Sequence, residues 1–146
     1  MDATTRRVDN VYWTWRRFLK ANLPDERIYY NPTDLPKPTD VERWVIFRTG
    51  LYRAEMFTES VPRLTCVARL DVDDSDLQDL VSDVLAIVDK TNTARKFIDF
   101  YDKTSATVIG TIDVIRTPVG PTMEYDIGID SIPIDVFTRI KTARTV

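Results

Sequence analysis

The stretch Asp71 to Asp89, DVDDSDLQDLVSDVLAIVD, decides the fold. Ser75 followed by Gln78 forms a capping box, in which the hydroxyl accepts from the third helical amide while the amide side chain reaches back. Leu77, Leu80, Val81, Val84, Leu85 and Val88 then fall at i, i+3, i+4, i+7, i+8 and i+11. The spacing predicts a helix over 75–89 with one apolar stripe that carries no catalytic side chain. Such a helix is built to lie on a sheet.

Strand patterns stand on both sides of it. From Glu42 the period is two, with Trp44 and Ile46 on one side and Val45 and Phe47 on the other, which predicts a strand buried on both faces. Gly50 marks a bulge or turn within it. Arg63 to Val72 is the return strand, so 42–72 reads as a long hairpin with its tip near Thr58 to Pro62. Beyond the helix, 96–140 holds four more candidate strands: Lys96 to Tyr101, Thr107 to Arg116, Thr122 to Asp130 and Ile132 to Ile140. In the second of these Val108, Gly110, Ile112 and Val114 share one face.

At the other end of the chain, 1–23 predicts an amphipathic helix with Val8, Val11, Tyr12, Trp15, Phe18 and Leu19 on one face, ended by Pro24. Trp13 lies off that stripe, available either to pack under a loop or to contact a neighbouring subunit. The segment 31–40, NPTDLPKPTD, reads as a stiff extended crossing from helix to sheet. The order helix, hairpin, helix, strands predicts one α+β domain over 1–146, a mostly antiparallel or mixed sheet of about six strands with two amphipathic helices packed on it.

Composition removes most chemistry. The chain has no histidine, which takes away the usual general base, the commonest metal ligand and every histidine-dependent triad. Its one cysteine, Cys66, sits in the apolar alternation Leu64, Cys66, Ala68, Leu70, a setting that raises a thiol pKa and makes the residue structural. One cysteine allows no internal disulfide. The glycines, Gly50, Gly110, Gly120 and Gly128, are too far apart for a phosphate loop or dinucleotide fingerprint. With 20 basic residues interleaved among 23 acidic ones and a net charge of -3, the whole chain shows no nucleic-acid footprint. MDATTRRVDN has no apolar signal core, and no segment approaches the ~20 apolar residues of a membrane span. The chain is therefore expected in the cytosol where it is made, with no membrane partner and no cofactor.

Two acidic groups invite other readings. Asp71, Asp73, Asp74 and Asp76 suggest calcium, but an EF-hand counted from Asp71 would need glycine where Asp76 stands and glutamate where Ser82 stands. The helix dipole accounts for acids there. Asp99, Asp102, Asp113, Glu124, Asp126, Asp130 and Asp135 are numerous enough for a catalytic carboxylate pair, yet most fall at alternate strand positions or in loops, where solvated acids belong.

The helix around Val8 to Leu19, the Trp44 strand leading into the hairpin, the strand Leu64 to Val72 running into the helix Ser75 to Val88, and FIDFYD at Phe97 to Asp102 together resemble the tail terminator (tail completion) proteins of tailed bacteriophages. The resemblance implies a non-enzymatic virion protein, a homohexameric ring on the last ring of the tail tube. Such a ring stops tube polymerisation and meets the head-side connector or stopper protein, with the tail sheath a further partner in contractile phages. DNA passes through as cargo. Candidate contact residues are the hairpin's Tyr52, Phe57, Thr58, Glu59 and Ser60, and on the first helix Trp13, Arg16 and Arg17. Another head-tail joining or tail-tube-related protein is the alternative; a small carboxylate enzyme or a nucleic-acid-binding module are alternatives of other classes.

Overall fold

A computed structural model of the chain describes residues 3–54, 58–70, 75–89 and 97–142. The elements are α1 (Ala3–Asn22), β1 (Ile28–Tyr30), β2 (Arg43–Ala54), β3 (Thr58–Arg69), α2 (Ser75–Val88), β4 (Ile98–Tyr101), β5 (Val108–Arg116), β6 (Met123–Asp126), β7 (Ile129–Asp135) and β8 (Phe137–Thr142). The architecture is α+β, with one mixed sheet ordered β1-β2-β3-β8-β5-β4 and a branch in which β6 pairs β7 and β7 pairs β3. Among the described residues, only the β1–β2 pairing is parallel.

The β2–β3 hairpin centres the sheet, with Trp44 facing Val67 and Val45 facing Cys66. Along the other edge of β3, β7 and β8 run end to end: β7 pairs Arg63 to Arg69, and β8 pairs Thr58 to Ser60. The two are separated at Val136, whose N–H donates to the Pro62 carbonyl at 2.9 Å. A proline cannot return that bond. Opposite Pro62 on the other side, β2 shifts register between Arg48 and Leu51, and on the far side of β8, β5 shifts between Val114 and Arg116. Four strands are thus interrupted along one line, and because bulges bend and twist a strand, the sheet curls there.

Gly50 supplies the first bulge. Its φ is +69°, and a Cβ in its place would stand 2.1 Å from the Val61 carbonyl oxygen. Because the bulge adds one residue to β2, the outward set passes from Trp44, Ile46 and Arg48 to Leu51 and Arg53 while staying in step with β3.

The helices share one face. Val11, Trp15 and Leu19 of α1 and Leu77, Leu80 and Val84 of α2 are fully buried with Val45, Phe47, Leu64, Cys66 and Ile112 of the sheet. Burying a tryptophan such as Trp15 removes roughly 150–250 Å² from water, about 4–6 kcal/mol before entropy is counted. The opposite face carries a smaller core of Trp44, Ile46, Val67 and Ile129 with Tyr29, Val41 and Tyr125 packed on it. The proline-rich crossing lies over this second core. The Tyr125 hydroxyl donates to the Pro36 carbonyl at 2.6 Å, Arg69 donates to the Pro38 carbonyl, and Lys37 pairs with Asp126 at 2.9 Å.

Three expectations change. The segment 122–130 is a tight hairpin, β6 and β7, because Gly128 at φ +75° turns the chain after Ile127. Val108 is exposed: the register shift between Phe100 and Tyr101 leaves Ile109 as the extra residue, and Ile109 packs on the core instead. Thr58, Glu59 and Ser60 are not a hairpin tip. They continue β3, paired to Ala54, Arg53 and Tyr52 on one side and to Ile140, Arg139 and Thr138 on the other. The missing N–H of Pro62 falls where the bulge and the Val136 gap leave no ladder bond to lose.

Candidate functional site

α1 lies between the two edges of the curled sheet. Along one flank the Tyr12 ring meets Tyr30 of β1 at 6.3 Å and Phe47 of β2 at 6.4 Å. Along the other, Thr14 Oγ1 accepts from the Tyr101 amide at 3.0 Å and Asn10 Oδ1 from the Lys103 amide at 2.9 Å. Helical spacing explains both sets, since Asn10 and Thr14 stand one turn apart and Tyr12 and Arg16 stand one turn apart on the adjacent flank. The helix therefore covers an edge strand that would otherwise present unpaired backbone.

On the outer surface of this seam, cations and aromatic rings interleave. Trp13 is 39% exposed. The Arg16 guanidinium lies 5.4 Å from its ring and 4.9 Å from that of Tyr30, and donates to the Tyr12 hydroxyl at 3.0 Å. Lys103 Nζ stands 5.4 Å from the same indole, and Arg17 sits 4.0 Å over Tyr101. Burial raises the Tyr30 hydroxyl pKa, with Arg16 opposing the shift, so that hydroxyl stays neutral. Each cation–aromatic contact contributes about 0.5–1 kcal/mol at exposed sites and holds the long side chains in place.

The structure thus brings Trp13, Arg16 and Arg17 together and adds Lys103, Tyr30 and Tyr101, which no local spacing links to them. The hairpin residues lie apart from this cluster. Tyr52 is half-buried against the main core, and Ser60 is fully buried, its carbonyl accepting from the Thr138 hydroxyl at 2.7 Å. Glu59 reaches Arg139 at 4.0 Å. Phe57 lies outside the described residues, as do Asp71, Asp73 and Asp74 of the acidic run.

Cys66 and several of the carboxylates are engaged within the fold. Cys66 is buried, and desolvation pushes its thiol up to about 12. Asp126 and Asp40 are both held below the ordinary carboxylate range, by hydrogen bonds from Lys37 and Arg27 respectively, the reverse of what a general acid needs. Asp135 accepts both Nε and Nη2 of Arg63, at 2.8 and 3.2 Å. Glu124 and Asp130 face one another across β6 and β7, on a surface hairpin. A cleft of about 490 Å³ between α1 and β4 is lined by Arg17, Phe18, Asn22, Phe97 and Tyr101 with Asp99 as its one carboxylate. Among the described residues no three of His, Cys, Asp and Glu converge on a metal-sized space, and no helix is long and apolar enough to cross a membrane.

No protein-family model matches the chain, and no curated protein does. One solved structure, of a protein without a functional name, superposes with a TM-score of 0.67 over 94% of this chain and 97% of its own at 10% identity, which shows a shared fold. A chain from the virion of a native gene transfer agent particle aligns over 94% of this chain and 96% of its own at 10% identity, with a TM-score of 0.49.

Proposed function

We propose that this chain is a non-enzymatic structural component of a tailed phage-like particle, forming a homohexameric ring that caps the head-proximal end of the tail tube. The ring ends tube polymerisation and offers its other side to the head connector or stopper protein, with the sheath as an added neighbour where the tail contracts. DNA passes through it without sequence recognition. The reading starts from the sequence resemblance. The observation that carries it is the Trp13 cluster: a rigid aromatic, exposed and flanked by Arg16 and Lys103, has the composition of an association anchor and no partner within the described chain that buries it.

Ring closure needs heterologous contacts, in which one surface of a subunit meets a different surface of the next. Side-chain faces are among the surfaces this fold offers for that purpose. Its edge strands β1, β6 and β4 are three, four and four residues long, and α1 backs β4, whereas β2 runs on to Ala54 beyond β1, which pairs only Val45 to Phe47.

Cryo-electron microscopy of purified particles or tails from the source tests the proposal. The expected result is six copies of this chain in a ring at the head-proximal tube end. Density elsewhere in the neck would make it a different joining protein. Absence from the particle would overturn the structural role.

A further inference from the structure

The outward faces of the two helices carry opposite charge. From Asn10 to Asn22, α1 has three cations, Arg16, Arg17 and Lys20, and no acid. Trp13, Arg17 and Lys20 are exposed at i, i+4 and i+7, one stripe along the helix, with Ala21 exposed beside Lys20. From Ser75 to Val88, α2 has three carboxylates, Asp76, Asp79 and Asp83, and no base. They fall at i, i+3 and i+7, also one stripe, with Asp79 and Asp83 exposed and the small Ser82 and Ala86 beside them.

Within the subunit, Arg43 is the base beside the acidic stripe. Arg43 reaches Asp83 at 3.4 Å, but its shorter contact, at 2.5 Å, is to Glu26. Arg17 is stacked on Tyr101, which fixes its charge on the surface without neutralising it. Among the described ion pairs, neither Lys20 nor Asp79 takes part.

We infer that the Trp13–Arg17–Lys20 stripe of one copy docks on the Asp76–Asp79–Asp83 stripe of the next copy, as the repeating contact of the assembly. The inference rests on the ring reading and names its two surfaces. Such a contact is heterologous, as a closed ring requires. Trp13 covers the small residues of the facing helix, and the cations around it meet carboxylates. Charge pairs at a contact rim chiefly select partner and register; here they exclude α1 against α1 and α2 against α2, both of which bring like charges together.

The test uses the full chain in two reversed forms, Arg17→Glu with Lys20→Glu, and Asp79→Lys with Asp83→Lys, each checked for native circular dichroism. Sedimentation velocity over a concentration series is expected to show wild-type self-association, loss of about tenfold or more in each reversed form, and recovery when the two reversed forms are mixed. Carbodiimide coupling of nitrogen-15-labelled with unlabelled wild-type chain is expected to give a Lys20–Asp79 peptide joining labelled to unlabelled copies. Association unchanged by reversal, no recovery on mixing, coupling confined within one copy, or no association at all overturns the inference. Six-fold rings at the tube end that tolerate both reversals leave the capping role intact and remove only this contact, whereas a chain absent from the particle removes the role itself.

Discussion

Val136 donates its backbone N–H to the carbonyl oxygen of Pro62 at 2.9 Å, and Pro62 has no N–H to complete the pair. That one missing bond coincides with the Gly50 bulge on β2 and the shift at Ile115 on β5. A proline in the middle of a twelve-residue strand is thereby accommodated, and the line it marks sets where the sheet bends.

Gly50→Ala is expected to destabilise the chain by more than about 2 kcal/mol. A left-handed backbone costs a non-glycine residue roughly 1–2 kcal/mol, and the new methyl would also meet the Val61 carbonyl oxygen at 2.1 Å. Gly128→Ala shares the positive φ but meets nothing within 4 Å, so only the roughly 1–2 kcal/mol backbone cost applies. Urea denaturation of both variants checks this; equal losses would remove the close approach at Gly50 as a cause.

Asn10→Ala and Thr14→Val each remove the acceptor for one amide of the β4 region, Lys103 and Tyr101 respectively. A loss of about 1 kcal/mol each is expected. Amide hydrogen exchange gives the more specific readout: Tyr101 should exchange faster in Thr14→Val and Lys103 in Asn10→Ala, with the β2–β3 amides unchanged.

Cys66 should resist thiol reagents at pH 8 in the native state and react at the rate of unfolding. Burial raises its pKa from 9.0 to about 12. Because the folded pKa is the higher one, the associated stability is fully present below pH 9 and is lost as pH rises from about 9 towards about 12. Cys66→Ala should flatten that alkaline decline, measured as the denaturation midpoint against pH.

The proline-rich crossing should loosen in acid. Asp40 and Asp126 are held below the ordinary carboxylate pKa by Arg27 and Lys37. Depressed carboxylates contribute stability above their unfolded pKa, about 3.9, and lose it as pH falls through the folded value. Trp44 fluorescence, sensitive to the Tyr125 contact at 5.9 Å, should change below about pH 4 before global unfolding. Asp126→Asn should show part of that change already at neutral pH.

Periodicity made the large elements legible. The stripes of α1 and α2 and the two-sided burial of Trp44 to Phe47 follow from spacing alone. The misses are places where a bulge, a turn or a long-range contact overrides local pattern. Ile109 replaces Val108 on the core side because one extra residue shifts the alternation. β1 is only three residues long and owes its place to parallel pairing with Val45, Ile46 and Phe47. At the candidate site, Trp13 stands out in the sequence because it breaks its helix's stripe, and Arg16 follows one turn later. Lys103 and Tyr101 join them only through the closure of the sheet, and nothing near Trp13 in the sequence announces that.

The seam held by α1 also orders events in time. Its two polar contacts join residues 87 and 93 positions apart, so the helix is synthesised long before the strand it must reach. Until β4 arrives, Trp15, Phe18 and Leu19 have only part of their eventual surroundings. Closing so distant a contact carries a loop-entropy cost that local contacts do not. The slow step in maturing this chain is therefore expected to be the docking of its first helix, and an incomplete chain lacking β4 should expose that helix's apolar side to chaperones or to other nascent chains.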